Sequence, residues 1–249
     1  MEFLWERLEK EKRPIAVYGT GDGADKLFSV LESKGLSASA VFASDGFVRS
    51  RFFHGFKVLS FDQADRIFGP DMLVLMAFGS HDRDVIEHVR KLDSRCTLLI
   101  PDLLADERGR VFDREYLESN LKAIERAYSR LADERSRSVF RDIMEYRATG
   151  RLEPLLRSMD EDSESWKLLG IGDDEVFFDG GAYNGDTVRR FLSFADSWER
   201  IYAAEPDPRS FRKLSAFAGS LPHVQLINAA LDSKPGKIPF TFGRGRGNR

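Results

Sequence analysis

A single cysteine, Cys96, occurs in 249 residues. An internal disulfide is therefore excluded, and a reducing compartment fits the composition. Histidine is scarce as well. His54, His81, His88 and His223 are scattered, and no metal-ligand spacing links them to Cys96. Charge of one sign is missing: 38 Lys and Arg against 41 Asp and Glu leave a net charge of −3. That balance gives no electrostatic case for a nucleic-acid partner. No run approaches the roughly 18 apolar residues of a membrane-spanning helix. The leading MEFLWERLEKEKRP is amphipathic and charged, without the apolar stretch of a secretory signal. The expectation is a soluble, cytoplasmic protein with no membrane or nucleic-acid partner.

What is present reads as α/β. Hydrophobic residues make up 42% of the chain and charged residues 32%, ordinary for a globular protein, and the length suits two domains. Three blocks follow one another. In the first, 1–110, apolar runs at 15–19 (IAVYG), 39–43 (SAVFA), 72–78 (MLVLMAF) and 97–100 (TLLI) predict strands. Helical spacing lies between them, from Ala24 to Lys34 and over 82–92. Alternation of this kind implies a parallel sheet. The second block, 111–170, is a helical connector. Leu117, Leu121, Ile124, Tyr128 and Leu131 form one stripe behind an N-cap at Asp113. A further helix over 136–149 stops at Gly150, and the acidic DEDSES at 160–165 reads as a loop.

The third block, 171–249, carries the chemistry. EVFFDGG is a strand running into a glycine turn, and a helix starts at Asp186. A turn of this kind needs small residues, because glycine tolerates its backbone angles and lets a ligand approach the main chain. The helix start adds free N–H groups. Asp179, at the strand end, suits the amino-acid portion of a ligand. Glu205 closes the next strand, 26 residues later, where an acid accepts hydrogen bonds from ribose hydroxyls. The pattern is nucleoside-binding in general and does not by itself separate NAD from S-adenosylmethionine. If both acids serve only the fold, they cap helices.

FFDGGAYNGDT followed by IYAAEPDPRSFRKL resembles the FkbM family of S-adenosylmethionine-dependent methyltransferases. Asp179, Gly181, Ala182, Gly185, Asp186 and Thr187 match the family's turn, and Glu205, Pro206 and Asp207 match its second strand end. INAALDS, with Asn228, resembles its third-strand motif more weakly. Tyr183 stands where the wider class-I pattern has a glycine. The resemblance implies a class-I, Rossmann-like methyltransferase domain behind a Rossmann-like N-terminal domain. It also implies S-adenosylmethionine held by Asp179, Gly181, Tyr183, Gly185, Asp186, Thr187, Glu205 and Asn228. The expected reaction is O-methylation of a hydroxyl on a small molecule or glycan, with no general base assignable. The family's sheet has strand order 3-2-1-4-5-7-6, whereas this sequence supplies strands one to three and a hairpin-like KIPFTF at 237–242. Strand one would then lack a neighbour, a poor state for an apolar strand. The expectation is a methyltransferase domain incomplete at its C-terminus, in a longer chain or in a homodimer that closes the sheet. Arg244, Arg246 and Arg249 read as a loop rather than an RNA-binding tail.

A second glycine turn, Gly19, Gly21 and Gly23 with Asp45 24 residues after Gly21, also follows a strand and opens a helix. It reads equally as a second nucleotide site and as a packing device. Two other functional readings therefore stand beside the methyltransferase. One is a nucleotide- or nucleotide-sugar-binding module with an inactive or incomplete methyltransferase half. The other is an NAD-linked oxidoreductase.

Overall fold

Every residue of β1 (Ile15–Tyr18), β2 (Ala40–Ala43) and β5 (Leu73–Met76) is buried, because helices cover both faces of the sheet they share. This is why these strands read as continuous apolar runs rather than as alternation. The computed structural model describes residues 2–44, 48, 52–80, 82–103, 110–160 and 162–237. They form two compact units, Met1–Met159 and Asp160–Arg249.

The sheet of the first unit has the order β3-β4-β2-β1-β5-β6. Its pairs are parallel except for β3 (Phe52–Phe53), which lies antiparallel to β4 (Phe56–Ser60). β6 is Thr97–Leu99. On one face, α1 (Leu4–Lys10) and α2 (Asp22–Ser33) bring Leu4, Trp5, Leu8, Leu27 and Leu31 against Val17, Val41 and Leu75. On the other, α3 (Phe61–Phe68) and α4 (Arg83–Arg95) bring Ala64, Val89 and Leu92 against Tyr18, Phe42 and Val74. Cys96 is buried here, its thiol pushed up to about 11 by burial. A thiol packed this way is unreactive.

The connector expected over 111–170 is divided between the units. The first holds α5 (Arg114–Ser129), α6 (Glu134–Thr149) and α7 (Leu152–Ser158). Asp113 caps α5, accepting from Tyr116 N at 2.9 Å, and Gly150 ends α6 in the left-handed region at φ 67°. The second unit opens with α8 (Asp162–Leu169), which corrects the loop expected over 160–165. Tertiary packing overrides local polarity there, since Trp166 lies against Phe177, Phe191 and Phe194.

β7 (Val176–Gly180), β8 (Arg200–Ala204) and β9 (Val224–Ile227) form a parallel sheet in the order β7-β8-β9. α9 (Asp186–Leu192) and α10 (Pro208–Ala218) bury Val188, Phe191 and Leu214 against Ile201 and Ala203. Among the described residues β7 has a neighbour on one side only, and Val176 and Phe178 are half exposed. KIPFTF, apart from Lys237, and the three terminal arginines lie outside the described residues. No helix among the described residues is long and apolar enough to cross a membrane.

Candidate active site

β7 ends at Asp179 and Gly180, and five residues separate it from the start of α9 at Asp186. The turn between them is tied to the end of β8: Gly181 N and Ala182 N both donate to Ala204 O, at 2.8 and 2.9 Å. Three of its residues take positive φ, namely Gly181 (88°), Tyr183 (46°) and Gly185 (83°). Glycine meets that demand without strain. Gly185 is constrained a second way, since a Cβ there would lie 2.7 Å from Phe217 Cδ1. At Gly181 a Cβ would meet nothing within 4 Å, so bare backbone faces open space.

Tyr183 is the strained member, and Glu205 holds it. Glu205 is buried at the end of β8, and its Oε2 accepts from Tyr183 N at 2.8 Å. Its Oε1 accepts from Asp207 N at 2.7 Å. Asn228, just after β9, donates through Nδ2 to Glu205 O at 2.7 Å and to Pro206 O at 3.4 Å. The acids of EPD therefore divide the work. Asp207 caps α10, accepting from Arg209 N and Ser210 N, whereas Glu205 braces the turn and caps nothing. Glu205→Ala is expected to strand two N–H groups and lower stability by about 2 kcal/mol, read from the midpoint of urea unfolding. An unchanged midpoint would mean that the brace contributes nothing.

Asp179 is only 8% exposed, and its Oδ2 is buried with no hydrogen-bond partner. Burial raises its pKa above the ordinary carboxylate range, and the nearby charges of Asp186 and Glu205 add to the rise. An ionised carboxylate held this way lacks a cation or donor. Asn184 shares the condition, with a buried and unpartnered Oδ1. Sequence reasoning passed over Asn184, because a lone amide in a glycine-rich turn carries no signal until burial is known. Asp186 opens α9, its Oδ1 accepting from Thr187 N at 3.1 Å, and Thr187 is exposed. Beside Asn228 a cavity of about 680 Å³ opens, lined also by Pro206, Ala229 and Leu231. Among the described residues no three or more His, Cys, Asp or Glu side chains are grouped to hold a metal ion.

The glycine turn of the first unit is built differently. A Cβ on Gly23 would lie 2.1 Å from Ala77 O, so glycine there lets α2 approach the end of β5. Gly19 has φ 121° and donates to Phe42 O at 2.9 Å. Gly21 is the N-cap of α2, with open space where a Cβ would stand. Lys26 pairs with Asp22 one turn away. Asp45 and His81 lie outside the described residues.

No family model matches this sequence, and no curated protein matches it. By structure, the crystal structure of the methyltransferase FkbM from Methylobacillus flagellatus KT superposes with a TM-score of 0.59 at 16% identity. The two share their architecture. The match covers 91% of this chain and 66% of that one. The likeness is one of fold, and the residues of the turn after β7 must speak for themselves about chemistry.

Proposed function

We propose that this chain is an S-adenosylmethionine-dependent methyltransferase whose donor site is the turn after β7. The observation that carries the reading is the buried, partnerless Oδ2 of Asp179. S-adenosylmethionine presents an α-ammonium group, the kind of donor that carboxylate lacks. Around it, Gly181 offers main chain that no side chain covers. Each oxygen of Glu205 accepts one N–H and keeps a second lone pair, enough for ribose hydroxyls. The cavity beside Pro206 and Asn228 has room for a base. Tyr183, Gly185, Asp186 and Thr187 shape the turn that holds these groups in place.

The donor supplies a methyl group already made electrophilic by a positively charged sulfur. The protein's task is then alignment, which is where most of the rate gain in such a transfer arises. The acceptor in this reading is a hydroxyl on a small molecule or glycan, and an oxygen acceptor also requires a base near its proton. A second reading draws on the strand–glycine turn–helix with an acid at the next strand end, which suits nucleosides in general: a nucleotide- or nucleotide-sugar-binding module without methyltransferase activity.

Calorimetric titration with S-adenosylhomocysteine, with NAD and a UDP-sugar as controls, separates the two. Micromolar binding of S-adenosylhomocysteine alone is the expected result. Binding of the UDP-sugar or NAD alone, by folded protein, would overturn the assignment.

A further inference from the structure

The C-terminal ends of β5 and β6 in the first unit border an apolar cavity of about 460 Å³. This is the size of a small-molecule pocket, typically about 300–1,000 Å³. It also lies at the strand ends where open parallel sheets bind ligands. Met76 and Phe78 line it from the end of β5, Val85 and Val89 from α4, and Leu155 and Leu156 from α7. The α7 wall is held in place from two sides. Ile100 N donates to Gly150 O at 2.6 Å, pinning the α6–α7 corner to the end of β6. Arg157 Nε donates to the buried Asp142 at 2.9 Å, locking α7 onto α6.

The charges around this cavity are already matched. Asp102 Oδ2 accepts from Arg147 Nε at 2.5 Å, and the Arg147 guanidinium lies over the Phe112 ring. Ser80 Oγ accepts from Asp82 N, and Ser158 Oγ donates to Leu155 O. Tyr146 is different. It lines the cavity, and among the described residues its hydroxyl makes no hydrogen bond. Burial, reinforced by the Asp102 carboxylate, pushes its phenol up to about 12. It therefore stays an O–H donor throughout the physiological range. Asp102 and Arg147 neutralise each other, so neither recruits a charged ligand, and an anion entering this apolar space would lose its hydration without gaining a partner.

We infer that this cavity of the first unit is a small-molecule site for an uncharged and largely hydrocarbon ligand with one hydrogen-bond-accepting oxygen that Tyr146 meets. The inference does not depend on methyl-donor binding in the second unit.

The test uses the full chain and two probes of equal length, 2-nonanone and nonanoate, titrated by calorimetry. 2-Nonanone is expected to bind saturably at one site, at least about tenfold more tightly than nonanoate. Tyr146→Phe should weaken the ketone roughly fivefold, the loss of one neutral hydrogen bond. Leu155→Trp, which fills the space, should abolish binding. Val85→Trp fills it from α4 and serves as an independent check if the first variant fails to fold. The inference is overturned if folded protein shows no saturable ketone binding. Tighter binding of nonanoate, or ketone affinity unchanged in a folded filling variant, overturns it equally.

Discussion

Asp179→Asn is expected to weaken S-adenosylhomocysteine binding by roughly 100-fold while leaving the protein at least as stable. Removing one partner of a buried charged pair typically costs about 2–5 kcal/mol of binding, so the factor is at the modest end. The stability side follows from the carboxylate's surroundings. Its Oδ2 is buried without a partner, and its pKa is raised by burial and then by Asp186 and Glu205. A raised pKa in the folded state means that folding favours the neutral acid. The group's contribution is fully present below its unfolded pKa of about 3.9 and is lost as pH rises through the folded value. Asparagine, neutral at every pH, keeps that contribution at pH 7. A gain of roughly 0.5–2 kcal/mol, the usual scale where a strained functional group is relieved, is expected in thermal melts.

Ligand binding runs the other way with pH. The ammonium group requires the ionised carboxylate, so affinity for S-adenosylhomocysteine should climb as pH rises through the raised pKa of Asp179. Asp179→Asn should remove that dependence. Calorimetry on both proteins from pH 4.5 to 8 reads the two effects together. A variant that binds as tightly as the parent would remove Asp179 from the site. A strongly destabilised variant would mean that the carboxylate serves the fold. Glu205→Ala is the less discriminating change, because Glu205 also holds the N–H groups of Tyr183 and Asp207. A loss of binding there confounds ligand contact with turn collapse.

The contrast between these two acids shows how far the sequence could be read. Their strand-end positions were legible because each acid follows a short apolar run, VFF before Asp179 and IYAA before Glu205, whose end is easy to place. β1, β2, β5 and β6 were legible for the same reason. The work of Glu205 was not, since it depends on Tyr183 taking φ 46°, a tertiary outcome with no local signature. The β3–β4 hairpin escaped notice because Phe52, Phe53 and Phe56 break the alternation expected of a half-buried strand. Its turn, moreover, rests on His54 at φ 47° beside Gly55. α8 looked like an acidic loop, and Trp166, packed on Phe177 and Phe191, makes it a helix. The resemblance to FkbM proteins led to an expectation of fold, and the shared fold agrees with that much.

The two glycine turns look alike in sequence and differ in what a methyl group would meet, which makes Gly23→Ala the sharpest test of the first unit. A Cβ at Gly23 would stand 2.1 Å from Ala77 O and 3.1 Å from Ala77 C. The obstacle is backbone of the β5 end and cannot rotate away, so α2 must shift off the sheet. That helix contributes Ala24, Leu27 and Leu31 to the core. Overpacking at such a contact costs about 3 kcal/mol. Gly21→Ala is the internal control: its Cβ meets nothing within 4 Å, and a poorer N-cap costs only about 0.5–1 kcal/mol. Urea unfolding of both variants should place Gly23→Ala far below Gly21→Ala, with S-adenosylhomocysteine affinity unchanged in each under native conditions. The opposite ranking, with Gly23→Ala stable and weakened nucleotide binding in either variant, would make this turn a ligand site after all. Equal and small losses would show that α2 moves aside easily, and the close approach of helix to strand would then be incidental to the fold.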